Sequence, residues 1–285
     1  VTPRETREVS TGTETVLARV VDGVGVITLN RPHRRNALHT EIYAAVPALL
    51  ERFAAADEIG AVVITGAGNA FCAGGDVRDG GGGRVPPQGD PEAEIAARSD
   101  LLTENARMVR LLHEIPKVTI AALPGAAVGA GMSIALAADL RIAARSARLV
   151  PGWSRLAFSG DFGGAWFLTR LVGPAKALEL LIADEPIDAG EAQRMGLFNR
   201  VVDDAALSET ALAWAAQIAA GPTFAYAGVK ANVADAQQFP LDVALRRESE
   251  RMVRCALTEE HRQAVRKWLA AAAAKQDSAK AGAGR

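Results

Sequence analysis

"GAAVGAGMSIALAAD", residues 125–139, reads as a glycine-lined turn running into a buried helix, and Ser133 is its only hydroxyl. No acid or base lies in it before Asp139, almost two helical turns beyond Ser133. Small residues there let the backbone approach other backbone, or a ligand, closely. The run before it, "KVTIAALPG" at 117–125, has the apolar, β-branched character of a buried strand. The same order occurs earlier: "IGAVVITGAG" at 59–68 reads as a buried strand ending in glycines, and "NAFCAGGD" follows at 69–76. A helix N-terminus leaves peptide N–H groups unpaired and carries the positive end of the helix dipole. Two such turns could aim N–H groups at one point and hold an oxyanion. The glycines could equally serve tight turns and close packing alone, and the residues by themselves favour that second reading.

Outward from these turns, "TVLARVVDGVGVITL" at 15–29 predicts two strands joined at Asp22-Gly23. "NRPHRRNAL" breaks the pattern, and residues 40–56 have helical periodicity. "RDGGGGRVPPQGD" at 78–90 reads as a surface loop. A helix is expected from Glu92 to His113, then a strand pair in "LRIAARSARLVP" at 140–151. Helical segments follow at 164–172, 174–183, 188–195, 204–220 and 241–275, ahead of a disordered tail. Neither a GxGxxG opening to a first helix nor a GxxxxGK[ST] loop is present, which argues against a nucleotide-binding Rossmann fold.

The chain has 285 residues, enough for one large core, and 32 basic against 33 acidic side chains give no overall attraction to nucleic acid or anionic membrane. Cys72 and Cys255 make no disulfide framework, so a reducing compartment is expected. The polar first twenty residues and the lack of a long apolar run lead to the expectation of a cytoplasmic protein with no membrane partner. His39, His113 and His261 have no metal-ligand spacing, and no metal site is expected.

"LNRPHRRNAL" at 29–38, "ITGAGNAFCAGGD" at 64–76, "AALPGAAVGAGMSIALAAD" at 121–139 and "EPIDAGEAQRMGLFNRVV" at 185–202 together resemble the enoyl-CoA hydratase/isomerase family, or crotonase superfamily. The resemblance implies an α/β fold, a spiral of repeated ββα units with a helical C-terminal region. It places the spiral core at 12–205, a helical trimerisation and lid region at 206–273, and the tail at 274–285. It further implies a homotrimer or dimer of trimers acting on acyl-CoA thioesters, with coenzyme A part of the substrate and no separate cofactor.

On the matching positions, the oxyanion N–H donors fall on Gly75 and Ala130. The coenzyme A contacts fall on His33, Arg34 and Arg35, whose charge suits phosphates, and on Gly75, Asp76, Val77 and Arg78. Arg34 and Arg35 could also be plain solvent-facing charges, and Asp76 a turn-stabilising side chain. Arg266, Lys267 and Trp268 lie where the family's last helix can close a neighbouring subunit's acyl pocket. The two glutamates of typical hydratases are replaced: Ser133 and Trp153 stand in their places, on the substrate side of the site. Neither can serve as the carboxylate base.

The replacement candidate is Asp161 in "LVPGWSRLAFSGDFGG". Several isomerases of the superfamily carry an acidic catalyst at this place. Its 4-chlorobenzoyl-CoA dehalogenases match both Asp161 and Trp153, with the Asp as nucleophile. Their base histidine has no counterpart in "LLTENARMV" at 101–109, which disfavours dehalogenation. A pocket beside Trp153 would raise the pKa of Asp161. Capping of the helix near Gly163 is the alternative role for Asp161. Asp139 reads as structural, Glu104 and Asp100 as helix-face charges that could reach a pocket, and Cys72 as a packed side chain. The expected activity is double-bond isomerisation of an enoyl-CoA by one carboxylate. The alternatives are hydration or hydrolysis with water held by Asp161, ring opening or C–C cleavage of a cyclic acyl-CoA, and noncatalytic acyl-CoA binding.

Overall fold

The structure, a computed structural model, describes residues 6–76 and 89–283, with side chains to residue 272. It divides into two units, residues 1–221 and 222–285.

In the first unit β1 (Thr6–Val9), β2 (Val16–Val21) and β3 (Val24–Leu29) form an antiparallel meander, with the tight turn at Asp22-Gly23 as expected. Helix α1 (Thr40–Ala55) follows, burying Ile42, Val46, Leu49, Leu50 and Phe53 at helical spacing. Then come β4 (Ala61–Gly66), β5 (Ala70–Cys72), α2 (Pro91–Asn105) and α3 (Arg107–Glu114). The single helix expected over 92–113 is thus two helices broken at Ala106. The next repeat is β6 (Val118–Leu123), β7 (Ala126–Val128) and α4 (Ala130–Ala137). After it come β8 (Leu140–Ala144), β9 (Arg148–Val150), α5 (Gly164–Val172) and α6 (Pro174–Ala183). The unit ends with β10 (Ile187–Asp188), α7 (Ala189–Arg194), β11 (Arg200–Val202) and α8 (Leu207–Ala219).

Two sheets result, in the orders β1-β2-β3-β4-β6-β8-β11 and β10-β9-β7-β5. Each repeat sends its first strand to the large sheet and its second to the small one. Parallel pairing of β3, β4, β6, β8 and β11 then advances the chain as the expected spiral. Strands β8 and β9 are therefore not paired with each other, as "LRIAARSARLVP" suggested; β9 pairs with β7 and β10. All eight residues of α4 are buried. A helix apolar on every side needs cover on every side, and α4 has it from β5, β6, β7, α3 and α5.

The boundary between units falls after α8, not at 205/206. Leu207, Ala211 and Ala215 of that helix are buried, and it packs on β3, β4, β6 and β8. The second unit holds α9 (Thr223–Ala236), α10 (Leu241–Ala256) and α11 (Glu259–Ala283). Helix α9 lies in a stretch given no helix from sequence. Helical backbone also continues through residues 274–283, where the sequence suggested a disordered tail; its alanines and lysines have high helix propensity. Asp235 ties α9 to α10 through Arg247 at 3.1 Å and Arg251 at 2.7 Å. Among the described residues no helix is long and apolar enough to cross a membrane.

Candidate functional site

The turns after β5 and β7 meet at the N-terminus of α4. Gly74 has φ +82°, and a Cβ there would stand 2.8 Å from the Val128 carbonyl oxygen and 3.5 Å from Ala130 N. Only glycine permits that dihedral and that approach together. On the helix side, a Cβ at Gly131 would meet the Cys72 carbonyl oxygen at 2.2 Å, so α4 is docked against β5 backbone to backbone. Leu38 N–H donates to the Gly74 carbonyl at 2.8 Å, and Asp76 N–H donates to the Leu38 carbonyl at 3.3 Å. Gly75, between them, turns its own N–H away from that bridge and finds no acceptor among the described residues. Gly129 precedes α4 without a side-chain cap, and Ala130 N–H, the first of the helix, likewise finds no acceptor among them. Two unpaired peptide donors thus stand on facing turns, one of them at the positive end of a helix dipole.

Asp161 precedes α5 and approaches the same helix start through Trp153. The Trp153 indole Nε1–H donates to Asp161 Oδ1 at 2.9 Å, and Nε1 lies 3.8 Å from where a Gly129 Cβ would stand. The Asp161 carboxylate does not cap α5, whose N-cap is Gly163 with no side-chain bond. The capping role is excluded. Burial raises the Asp161 pKa above the ordinary carboxylate value, opposed by the Trp153 hydrogen bond. Asp161, Phe162 and Gly163 line a cavity of about 650 Å³ together with residues of α2 and α3 that include Thr103, Glu104 and Leu111. Neither Gly75 nor Ala130 is part of that lining.

A family model for enoyl-CoA hydratase/isomerase matches residues 19–276. The chain belongs to the enoyl-CoA hydratase/isomerase family. It is an acyl-CoA enzyme of the crotonase fold. It is 35% identical to the 1,2-epoxyphenylacetyl-CoA isomerase of Escherichia coli K12 over 90% of this chain and 96% of that protein. It is 31% identical to 4-chlorobenzoyl coenzyme A dehalogenase-2 of an Arthrobacter species, over 81% of this chain and 82% of that one. Among solved structures, an enoyl-CoA hydratase of Polaromonas sp. JS666 superposes with a TM-score of 0.81 at 32% identity, covering 90% of this chain and 96% of that one.

Within this family frame the expected residues divide. Gly75, Ala130, Trp153 and Asp161 gather around the start of α4. Ser133 is fully buried, and its Oγ–H donates to the Asp161 carbonyl at 3.1 Å, tying α4 to the segment that carries Asp161. Trp153 is also buried, and its polar atom is engaged with Asp161. Asp76 is buried in an ion pair with Arg31 at 3.1 Å, the turn-stabilising alternative. Arg31 Nη1 also donates to the Ala37 carbonyl at 2.7 Å, so this pair staples "NRPHRRNAL" to "CAGGD". His33, Arg34 and Arg35 lie on a single helical turn and its left-handed end, with His33 and Arg35 exposed. Val77 and Arg78 lie outside the described residues. Trp268 is an exposed residue of α11, in the second unit.

Asp139 is structural, accepting from Thr119 N–H at 2.8 Å and Oγ1–H at 3.0 Å. Burial pushes the Cys72 thiol up to about 12, which fits a packed side chain. Among the described residues no group of three or more His, Cys, Asp or Glu could hold a metal ion. Glu104 lines the Asp161 cavity, whereas Asp100 does not.

Sequence reasoning missed Tyr43. Its hydroxyl is pushed up to about 12, first by burial and then by the charges of Cys72, Asp161 and Asp76. Its ring lies 6.1 Å from that of Phe162. No sequence signal marks it, because a half-buried tyrosine on an amphipathic helix looks like any core-edge residue.

Proposed function

We propose that the protein isomerises the double bond of an enoyl-CoA, with Asp161 as the single proton carrier. The carrying observation is the raised, half-buried Asp161 carboxylate beside the N-terminus of α4, held by the Trp153 indole. The thioester carbonyl oxygen would accept from Gly75 N–H and Ala130 N–H, donors that stabilise the charge developing in an enolate. The Asp161 carboxylate takes a proton from the carbon next to the carbonyl. The C–H electron pair becomes the dienolate, and the oxyanion charge rests on the two N–H groups. Asp161 then returns a proton to the γ carbon, in part after its carboxyl has exchanged with solvent, and the double bond moves into conjugation. No proton is consumed, so one carboxylate suffices.

His33, Arg34 and Arg35 supply cationic and hydrogen-bonding groups for the phosphates of coenzyme A. The acyl chain enters the Asp161 cavity, and a volume of about 650 Å³ also takes a cyclic acyl group such as the one named in the E. coli relative. Helices α10 and α11 expose Leu241, Leu245, Met252, Trp268 and Leu269, apolar surface suited to the subunit contacts of a trimer or hexamer.

One observation favours a second reading. Glu104 lines the same cavity as Asp161 and supplies a second carboxylate for water addition. Mass spectrometry of trans-β,γ-hexenoyl-CoA and crotonyl-CoA incubated in D₂O separates the two. A shifted double bond with deuterium exchange, lost in Asp161→Asn, supports isomerisation. Water addition that persists in Asp161→Asn and is lost in Glu104→Gln supports hydration instead. Tight thioester binding with no exchange at any carbon refutes both.

A further inference from the structure

Asp184 ends α6 in the left-handed region, φ 53°, with its carboxylate almost fully buried. One carboxylate oxygen accepts from Gly152 N–H, and the other accepts from Arg155 N–H at 2.8 Å. Arg155 covers the group from outside: its guanidinium donates to the Asp184 carbonyl and its Nε stands 3.7 Å from Oδ2. Gly152 and Arg155 are the residues on either side of the Trp153-Ser154 pair. Ser154 Oγ–H adds a second tie to α6, donating to the Leu181 carbonyl at 2.8 Å. The Trp153 carbonyl accepts from Leu156 N–H at 2.9 Å and Phe158 N–H at 3.0 Å, which closes the turn on its far side. The backbone around Trp153 is therefore held at three points while its indole donates to Asp161.

A glycine would end α6 in the same left-handed conformation without burying a charge. Desolvating a carboxylate is expensive unless its lone pairs are met, and here they are met by the donors that flank Trp153. We propose that Asp184 is a positioning residue for the acid–base site. It clamps the Gly152–Arg155 turn so that the Trp153 indole N–H stays on Asp161. The catalytic clause of this proposal rests on the reading of Asp161 as the proton carrier; the clamp itself does not.

Asp184→Gly tests it, because glycine takes φ 53° freely and removes only the clamp. Asp184→Asn keeps one acceptor oxygen and turns amide hydrogens towards the second N–H, and it decides the matter by the same readouts if the glycine variant does not fold. The Trp153 indole resonance in a ¹H–¹⁵N spectrum, assigned by its loss in Trp153→Phe, reports the position of the ring. Deuterium exchange into trans-β,γ-hexenoyl-CoA, measured at saturation and at low concentration, reports the chemistry. In Asp184→Gly the indole signal is expected to shift and lose protection from solvent exchange, and the saturated exchange rate to fall about 10- to 100-fold. KM is expected to change little, and Asp184→Asn to lie between the parent and the glycine variant. An indole signal unmoved in a folded variant overturns the proposal. A freed indole with unchanged exchange, in a protein where Asp161→Asn does abolish exchange, overturns the catalytic clause alone. If Asp161→Asn itself leaves exchange intact, the reading of Asp161 fails, whatever the indole shows.

Discussion

Gly74→Ala perturbs the meeting of the two turns at its tightest point. The new methyl would stand 2.8 Å from the Val128 carbonyl oxygen, and ordinary contact begins near 3.4 Å, so the turns must part by about 0.6 Å. Both neighbours are backbone, so no side chain can swing aside. Alanine at φ +82° adds a left-handed penalty of about 1–2 kcal/mol. With overpacking at its usual cost of about 1–3 kcal/mol, the expected loss of stability is about 2–5 kcal/mol. Oxyanion donors work only within a few tenths of an ångström of their optimum, and losing one lowers turnover about 10²- to 10³-fold.

Gly75→Ala is the paired control. A Cβ there meets nothing within 4 Å among the described residues and its φ is not positive, so stability should hold. The methyl would stand beside the N–H proposed to receive the thioester, so affinity for the ester should fall. Urea unfolding gives the first quantity, and deuterium exchange into trans-β,γ-hexenoyl-CoA gives the second. Gly74→Ala that loses stability yet exchanges within about three-fold of the parent refutes the placement of the oxyanion donors on these turns.

Asn36 is fully buried at φ 56°, with Oδ1 accepting from Arg31 N–H at 2.9 Å and Nδ2 donating to the Ala67 and Ala70 carbonyls at 2.9 and 2.8 Å. Asn36→Ala removes all three hydrogen bonds and is expected to cost about 3 kcal/mol, read as a lower urea midpoint with an unchanged slope. Because burial raises the Asp161 pKa, the folded chain binds that proton more tightly than the unfolded chain. The stability of the parent therefore falls as pH rises from the ordinary carboxylate value through the folded value. Asp161→Asn should match the parent below that window and melt higher above it; a melting difference independent of pH would contradict this. The Cys72 thiol, pushed up to about 12 by burial, should resist iodoacetamide in the folded protein at pH 8, while partly exposed Cys255 reacts. Peptide mapping showing early Cys72 labelling would mean that α4 and β5 separate.

The sequence alone showed the hairpin at 15–29, the helix at 40–56 and the buried strands at 59–68 and 117–125 with the glycine turns after them, because period-two and period-3.6 patterns and glycine turns are local properties of the chain; the short strands β1, β5, β7, β10 and β11 carried no such pattern. It also identified which turns carry the candidate donors: Gly75 and Ala130 follow apolar runs, and the four motifs fix their positions. What it left open are relations between distant segments. Whether Asp161 caps α5 or faces Trp153 depends on the placement of the indole, eight residues earlier in the chain, and only the fold decides it. Ser133 sits where the family alignment points to substrate, yet the close packing of α4 against the segment before α5 turns its hydroxyl to a carbonyl. Strands β8 and β9 look like a hairpin in sequence and enter different sheets, because hydrogen-bond partners are chosen by the whole spiral. Tyr43 and Asp184 carry no local signature at all. Their contacts with the Asp161 region come from burial and shared charge across elements far apart in the chain, and those arise only when the apolar faces have closed around them.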